Sequence, residues 1–145
     1  MRNTVVDMKP LYTASAVATG DGRNGHVEST DGILIADVRA PKELGGAGGA
    51  TNPEQLFAAG YAACFHSALR TVAKRSGADV TDSEVVADVS IGENGTGGFG
   101  LAVALEVTLP NVSREEAEKL VEQAHQVCPY SNATRGNVEV DLSVA

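Results

Sequence analysis

Residues 53–75 are predicted to form a helix that is apolar around almost its whole circumference. The segment begins with Pro53 and Glu54, which suit a first helical turn because proline has a fixed φ and a carboxylate favours the positive end of the helix dipole. Gly77 is a suitable terminator beyond the last turn. A helix without a polar face must be buried, so the rest of the chain is expected to cover this one. Its apolar and small residues are Leu56, Phe57, Ala58, Ala59, Gly60, Ala62, Ala63, Phe65, Ala68, Leu69, Val72 and Ala73.

The segments before and after this helix show the alternation and the turn residues that are typical of β-strands. A second helix is predicted from Ser113, which forms a capping box with Glu116, to Cys128, where Pro129 ends or kinks it. The two helices are not each flanked as simple parallel β-α-β units. The order therefore indicates an α+β fold with antiparallel sheet around a buried helix. The predicted strands are 11–20, 26–30, 33–38, 83–92, 99–109 and 137–145.

The size and charge of the chain exclude several classes of partner. A length of 145 residues fits a single domain over 1–145. The net charge of −8 argues against binding to nucleic acid or to an anionic membrane surface. No apolar run is long enough to span a bilayer, and the N-terminus MRNTVVDMKP does not look like a secretory signal. The expected location is the cytoplasm.

The composition favours a homodimer. Aromatic residues make up 4% of the chain and Trp is absent, whereas glycine and alanine are abundant. Each core side chain therefore contributes little buried surface. Burial of more surface in an oligomer, or close packing of small-residue helix faces, would compensate. Gly60, Cys64 and Ala68 recur every four residues and give a narrow stripe where another backbone can approach closely.

The two cysteines, Cys64 and Cys128, both lie on apolar helix faces. A permanent disulfide is uncommon in a reducing cytoplasm, which leaves two inert buried thiols, a metal site or a redox pair. Cys64 lies in the middle of the first helix, and Cys128 lies at the end of the second, where fewer hydrogen bonds hold the chain. One rigid and one mobile thiol suit a cycle in which one attacks and the other resolves. Inert core thiols fit the same pattern.

A redox role for Cys64 requires a nearby cation, because burial raises the pKa of a thiol and the thiolate is the reactive form. Arg23 and Arg135 lie in glycine-flanked loops, and a buried arginine needs a carboxylate partner such as Glu54. Glu54 precedes Cys64 by ten residues, which is about 15 Å along a straight helix. We therefore expect these groups to meet in a site shared by two subunits. Further cations on the first helix are Arg70, Lys74 and Arg75.

Metal, phosphate and serine-hydrolase sites are disfavoured. Cys64 and His66 are two positions apart and point to opposite sides of a helix, so they cannot join one zinc ion. His125 and Cys128 share a face, but two ligands do not make a site, and His125 is expected to interact with the helix dipole. The glycine-rich loop before the first helix lacks the Lys-Ser/Thr ending of a phosphate-binding loop. No GxSxG stretch occurs.

Two long segments carry a specific resemblance, namely TNPEQLFAAGYAACF (51–65) and VCPYSNATRGN (127–137). They resemble the signature segments of organic hydroperoxide resistance proteins in the Ohr/OsmC family. The strand-rich N-terminus and the segment SIGENGTGGFGL are similar as well, so the resemblance covers nearly the whole chain. The stretch CPYSNATRGN points to the organic hydroperoxide branch of the family and away from the osmotically induced branch.

This resemblance implies an intertwined homodimer in which antiparallel β-sheets wrap around two long buried helices. It implies a metal-free and cofactor-free, peroxiredoxin-like thiol peroxidase that reduces alkyl or lipid hydroperoxides and is recycled by a lipoylated protein or dihydrolipoamide. By match, Cys64 is the peroxidatic cysteine and Cys128 is the resolving cysteine with which it forms a disulfide. Glu54 matches the active-site glutamate that holds Arg23, and Arg23 would lower the pKa of Cys64. Arg135 competes with Arg23 for the role of the arginine.

An apolar substrate pocket is expected from Leu44, Phe57, Phe99 and Leu101, for each of which core packing is the alternative. Two other functions remain open. One is an osmotically induced type of peroxidase with broader peroxide use, which relative rates with hydrogen peroxide and a bulky organic hydroperoxide would distinguish. The other is a non-catalytic protein that binds a hydrophobic small molecule, which the absence of a thiolate at neutral pH would favour.

Overall fold

The chain up to Asn52, the first of two units in this computed structural model, contains a three-stranded antiparallel sheet. The structure describes residues 8–145. The second unit comprises Pro53–Ala145, and a single domain over 1–145 stays a prediction. In the first unit the strands are β1 (Ala16–Asp21), β2 (Asn24–Ser29) and β3 (Ile35–Asp37), and a 3₁₀ turn covers Lys42–Leu44.

The β1–β2 hairpin closes at the predicted glycine-rich turn. Asp21 pairs with Asn24, and Gly22 and Arg23 form the tip, where Gly22 has a φ of +60°. Such a positive φ favours glycine. The predicted strand 11–20 is shifted in the structure, because β1 begins only at Ala16, opposite Ser29. β2 ends at Ser29, and just beyond the two strand ends the Thr30 N–H donates to the Ser15 carbonyl at 2.9 Å.

The second unit begins with the long helix that the sequence predicts. The helix ends at Ser76, and Gly77 follows with a φ of +75°. The Ala78 N–H then donates to the Ala73 carbonyl at 3.0 Å, which is the bond of a glycine-terminated helix end. The elements of this unit are α1 (Pro53–Ser76), β4 (Glu84–Glu93), β5 (Phe99–Thr108), α2 (Arg114–Val127), α3 (Pro129–Thr134) and β6 (Glu139–Val144).

The second sheet is mixed, which corrects the expectation of purely antiparallel sheets. β4 and β5 form an antiparallel hairpin, whereas β6 pairs with β5 in parallel, from Ala102 opposite Glu139 to Val107 opposite Val144. The connection from β5 to β6 passes through α2 and α3, and a helical crossover returns the chain to the same end of the sheet. α2 therefore lies in a parallel β-α-β unit, whereas the strands on either side of α1, β3 and β4, belong to different sheets, so the two helices are not each flanked in this way.

The core of the second unit lies between the helices and the sheet. The residues that α2 buries in this core are Ala117, Leu120, Val121 and Ala124. Ser113 caps α2, because its side chain accepts a hydrogen bond from the Glu116 N–H at 3.2 Å. α1 buries one face within this chain, while residues such as Ala59 and Ala63 on its other side stay exposed. Among the described residues, no helix is long and apolar enough to cross a membrane. The buried cluster comprises Tyr61, Phe65, Ala68, Leu69, Val72, Ala73, Val103, Leu105, Val107, Leu109, Ala117, Leu120, Val121, Ala124 and Cys128.

Candidate active site

The two cysteines come into contact although 64 positions separate them in the sequence. Cys64 lies in the middle of α1, and Cys128 lies between α2 and α3. Their Sγ atoms are 3.6 Å apart, and both thiols are reduced. Cys128 is fully buried, whereas Cys64 is partly accessible. Because a disulfide bond measures about 2.05 Å, the sulfur atoms need to approach by only about 1.5 Å to form one.

Cys128 occupies a joint between two helices. Its N–H donates to the Ala124 carbonyl at the end of α2, and its carbonyl accepts from the Asn132 N–H at the start of α3, both at 2.9 Å. Its own backbone is extended, with φ −64° and ψ 123°. Pro129 follows at the first position of α3, where its missing N–H costs no hydrogen bond. The predicted break at Pro129 is therefore confirmed, and a short helix continues beyond it.

The surroundings of Cys64 disfavour its thiolate. Burial raises the pKa of the Cys64 thiol above its ordinary value, and the hydrogen bond with Cys128 acts in the same direction. The backbone N–H of Tyr130 opposes these effects by hydrogen bonding to the sulfur. Burial is the largest of the influences on this pKa, and the electrostatic effect of Cys128 also raises it, so a thiolate at neutral pH needs an additional cation.

An aromatic cluster packs beside the two sulfur atoms. The ring centroids of Phe57 and Tyr61 on α1 lie 6.2 Å apart, and those of Tyr61 and Tyr130 lie 5.6 Å apart. Gly60 leaves room for the Tyr130 ring, because a Cβ atom at this position would lie 2.9 Å from the Tyr130 Oη atom. The close approach expected along the small-residue stripe of α1 is thus made at Gly60 by a side chain and not by a backbone.

Hydrogen bonds connect Tyr61 of this cluster with three other polar side chains, and we call the four residues the hydroxyl network: Tyr61, His125, Ser131 and Thr134. The Tyr61 hydroxyl bonds to Ser131 Oγ at 2.7 Å and to Thr134 Oγ1 at 3.1 Å. Ser131 Oγ also bonds to His125 Nδ1 at 2.8 Å. Tyr61 and Ser131 are fully buried, so leaving either hydroxyl without a partner would cost about 1–3 kcal/mol.

Arg135 and His125 have structural partners at the end of α2. Arg135 donates to the His125 carbonyl and, at 2.8 Å, to Asn132 Oδ1. Burial lowers the pKa of His125 below its ordinary value of 6.5, and the positive charge of Arg135 lowers it further. His125 lies in the last turn of α2, where its lowered pKa favours the neutral imidazole, and its expected interaction with the helix dipole stays a prediction. These contacts indicate a helix-capping function for Arg135.

The remaining predicted site residues are distributed over both units. Glu54 lies partly buried in the first turn of α1. Arg23, which is partly buried, and Leu44, which is 45% exposed, belong to the first unit. The roles of these residues stay predictions.

Of the other pocket candidates, Phe57 lies in the aromatic cluster next to Tyr130. Phe99 begins β5 and is 67% exposed, and Leu101 is partly buried two residues later. The pocket role of all three stays a prediction.

His66 does not share partners with the cysteines. Its Nε2 atom bonds to Ser83 Oγ at 2.9 Å. Within residues 8–145, no group of three or more His, Cys, Asp or Glu side chains is arranged to hold a metal ion.

The hydroxyl network was not expected from the sequence. One signal was available, because Tyr61 lies on the buried face of a helix, and a buried tyrosine hydroxyl needs a partner. The segment after Cys128 supplies two hydroxyls, on Ser131 and Thr134. What the sequence does not reveal is that α1, α2 and α3 meet at this point.

Comparison with known proteins identifies the family. A family model described as OsmC-like protein matches residues 46–143. The organic hydroperoxide resistance protein of Xanthomonas axonopodis pv. citri is 53% identical over 139 residues, which cover 94% of this chain and 96% of that protein. The protein OhrB of Bacillus subtilis is 50% identical over 137 residues, which cover 92% of this chain and 98% of OhrB.

The solved structures agree with the sequence comparison. A crystal structure of an organic hydroperoxide resistance protein OsmC from Legionella pneumophila has a TM-score of 0.90 and 57% identity, and it covers 94% of this chain and 99% of its own. The resemblance of the two cysteine segments is thereby confirmed. This chain belongs to the family of OsmC-like proteins, and its relatives there include organic hydroperoxide resistance proteins.

Proposed function

We propose that this chain is a thiol peroxidase that reduces organic hydroperoxides to alcohols. The observation that carries the proposal is the 3.6 Å separation of two reduced sulfur atoms, one partly accessible and one buried. Two cysteines that served only as core residues would not have to lie in contact, because Cys64 belongs to α1 and Cys128 lies between α2 and α3. The names of the relatives from Xanthomonas and Bacillus support organic hydroperoxides as the substrate class.

In the proposed reaction, Cys64 is the nucleophile. Its thiolate attacks the terminal oxygen of the hydroperoxide, the O–O bond breaks, and the alkoxide leaves as an alcohol after taking up a proton. Cys64 becomes a sulfenic acid. Cys128 then attacks the Cys64 sulfur and expels the hydroxyl group as water, which forms the Cys64–Cys128 disulfide. A dithiol such as dihydrolipoamide, free or on a lipoylated protein, reduces this disulfide by exchange.

A cation is required in this scheme, because burial raises the pKa of Cys64. Arg23 is our candidate, and Glu54 would hold it through a bidentate pair. The guanidinium would stabilise the Cys64 thiolate and donate to the peroxide. Leu44, Phe57, Phe99 and Leu101 would receive the alkyl chain of the substrate.

The proposed assembly is a homodimer in the cytoplasm. The first unit leaves several large apolar residues in water, including Leu11 at 101% and Ile33 at 86% exposure. The small-residue side of α1 with Ala59 and Ala63 is exposed as well. Exposed apolar surface of this extent is typical of a protein interface, and a second copy of the chain would cover it.

Peroxide turnover with dihydrolipoamide tests the function. The wild type, Cys64→Ser and Cys128→Ser are compared with cumene hydroperoxide as substrate. We expect Cys64→Ser to reduce turnover to background. Cys128→Ser should complete a single turnover, leave a sulfenic acid that dimedone traps, and fail to cycle with the dithiol. Each cysteine variant is the matched control for the other, since the chain has two cysteines.

The outcomes separate the alternative functions. Equal, negligible rates in all three proteins would contradict the proposal and favour a binding protein for a hydrophobic ligand. A wild type that consumes hydrogen peroxide as fast as cumene hydroperoxide would favour the osmotically induced type of peroxidase.

A further inference from the structure

The hydroxyl network lies one helical turn from both sulfur atoms. Tyr61 precedes Cys64 by three residues on α1, and His125 precedes Cys128 by three residues on α2. Ser131 follows Cys128 by three residues in α3. Ser131 Oγ, with bonds of 2.7 Å to Tyr61 and 2.8 Å to His125, therefore connects the three segments that carry or flank the thiols.

α3 depends on these bonds for its position. It comprises six residues, and a helix of this length is marginal by itself. The Tyr61 hydroxyl holds it to α1 through Ser131 and Thr134. Tyr130 in the same short helix supplies the backbone N–H that hydrogen bonds to Cys64. A displacement of α3 would therefore move the Cys128 joint and remove a contact of Cys64 together.

We propose that all four residues of the hydroxyl network, Tyr61, His125, Ser131 and Thr134, are positioning residues. They hold the Cys128 sulfur beside the Cys64 sulfur and thereby set how readily the pair closes to a disulfide. The step they assist is the resolving step, in which the S–S bond forms, the S–O bond of the Cys64 sulfenic acid breaks and water leaves. These residues do not contact the peroxide. The role in catalysis rests on the proposed function, whereas the effect on disulfide closure does not.

Equilibration with glutathione tests the inference without any peroxide. One oxidised glutathione oxidises the Cys64–Cys128 dithiol to the disulfide and yields two reduced glutathiones, so the equilibrium constant reports the effective concentration of one thiol at the other. We expect Tyr61→Phe and Ser131→Ala to lower this constant by about 10- to 100-fold, because a misplacement of about 1 Å has effects of this order on paired groups. Mass spectrometry after acid quenching measures it.

The controls separate positioning from loss of the fold. Tyr12→Phe and Ser143→Ala remove hydroxyls from exposed residues outside the network and should leave the constant unchanged. If Ser131→Ala does not fold, Tyr61→Phe and the nearly isosteric Thr134→Val decide the question. Thr134→Ser, which keeps the hydroxyl, should restore the wild-type constant. An unchanged constant in folded Tyr61→Phe and Thr134→Val would overturn the inference.

Rapid mixing with cumene hydroperoxide provides the second readout. We expect Tyr61→Phe to consume the first equivalent at the wild-type rate, to form the disulfide more slowly, and to accumulate Cys64 sulfinic acid at lower peroxide concentrations. Equal slowing of both steps would contradict a positioning role in resolution. If the wild type consumes no peroxide and the variants still shift the glutathione equilibrium, the proposed function fails while the positioning role is supported.

Discussion

The two units of the chain bury their apolar residues to very different extents. All fifteen residues of the main core cluster belong to Pro53–Ala145. In the first unit, β1 is exposed along its whole length, and the buried apolar residues within residues 8–52 are Val38 and Ala40. The difference indicates that the second unit folds around its own core, whereas the sheet of the first unit needs an additional surface to cover it. In the proposed homodimer that surface belongs to the partner subunit.

The largest effect is expected from a truncation inside the core of the second unit. Leu105 on β5 is fully buried, and Leu105→Ala should lower the free energy of unfolding by about 2–5 kcal/mol, because it leaves a cavity. Urea denaturation measures the change. Val86→Ala on the neighbouring β4, where Val86 is 49% exposed, is the matched control and should have a much smaller effect. Equal losses would mean that the core is not concentrated on the buried face of this sheet.

A charged substitution in the first unit should weaken the proposed homodimer. Ile33 is 86% exposed, and Ile33→Asp should raise the dissociation constant of the proposed homodimer by about 100-fold, since it replaces an apolar side chain that the partner subunit would cover with a charge. Sedimentation velocity over a range of concentrations measures this constant. Thr30→Asp, an exposed position in the same unit, introduces the same charge as the control. A wild type that is monomeric at all concentrations would contradict the prediction.

The smallest effect is expected from two histidines whose pKa values shift in opposite directions. His125 in the second unit has a lowered pKa, so the unfolded chain takes up the proton first and stability falls as the pH drops below 6.5. The hydrogen bond with Asp37 raises the pKa of His26 in the first unit. The stability that protonated His26 contributes is present below pH 6.5, and it is lost as the pH rises through the pKa of His26 in the folded chain. The melting temperature should change by about 2–4 °C for His125 and by less for the exposed His26.

Melting curves of the wild type, His125→Gln and His26→Gln between about pH 5 and pH 8 separate the two contributions. His125→Gln should reduce only the fall in melting temperature on the acid side. His26→Gln should reduce only the fall in melting temperature above pH 6.5. If one variant flattened both sides, the assignment of the two shifts to separate units would be wrong.

The sequence was most informative where the determining interactions are local. Pro53 and Gly77 predicted the ends of α1 to within one residue, because both act through their own backbone angles. Ser113 predicted the start of α2 through its side chain, which accepts a hydrogen bond from the nearby Glu116 N–H. The parallel pairing of β6 was missed, since it depends on where α2 packs, and the hydroxyl network was missed because it forms only where three helices meet. The contact between Cys64 and Cys128 is also non-local, and the family resemblance predicted it where residue patterns left it open.

The absent side chain at Gly60 has a consequence for how the site can change during evolution. A methyl group there would lie 2.9 Å from the Tyr130 hydroxyl, so the ring would have to tilt away from α1. The tilt would shift a residue whose backbone is bonded to Cys64. Position 60 is therefore a point where one added carbon atom displaces the Tyr130 ring and, in the proposed peroxidase, would alter the surroundings of Cys64. If the proposed function holds, variation in substrate preference among descendants of this chain would be able to start from that single atom.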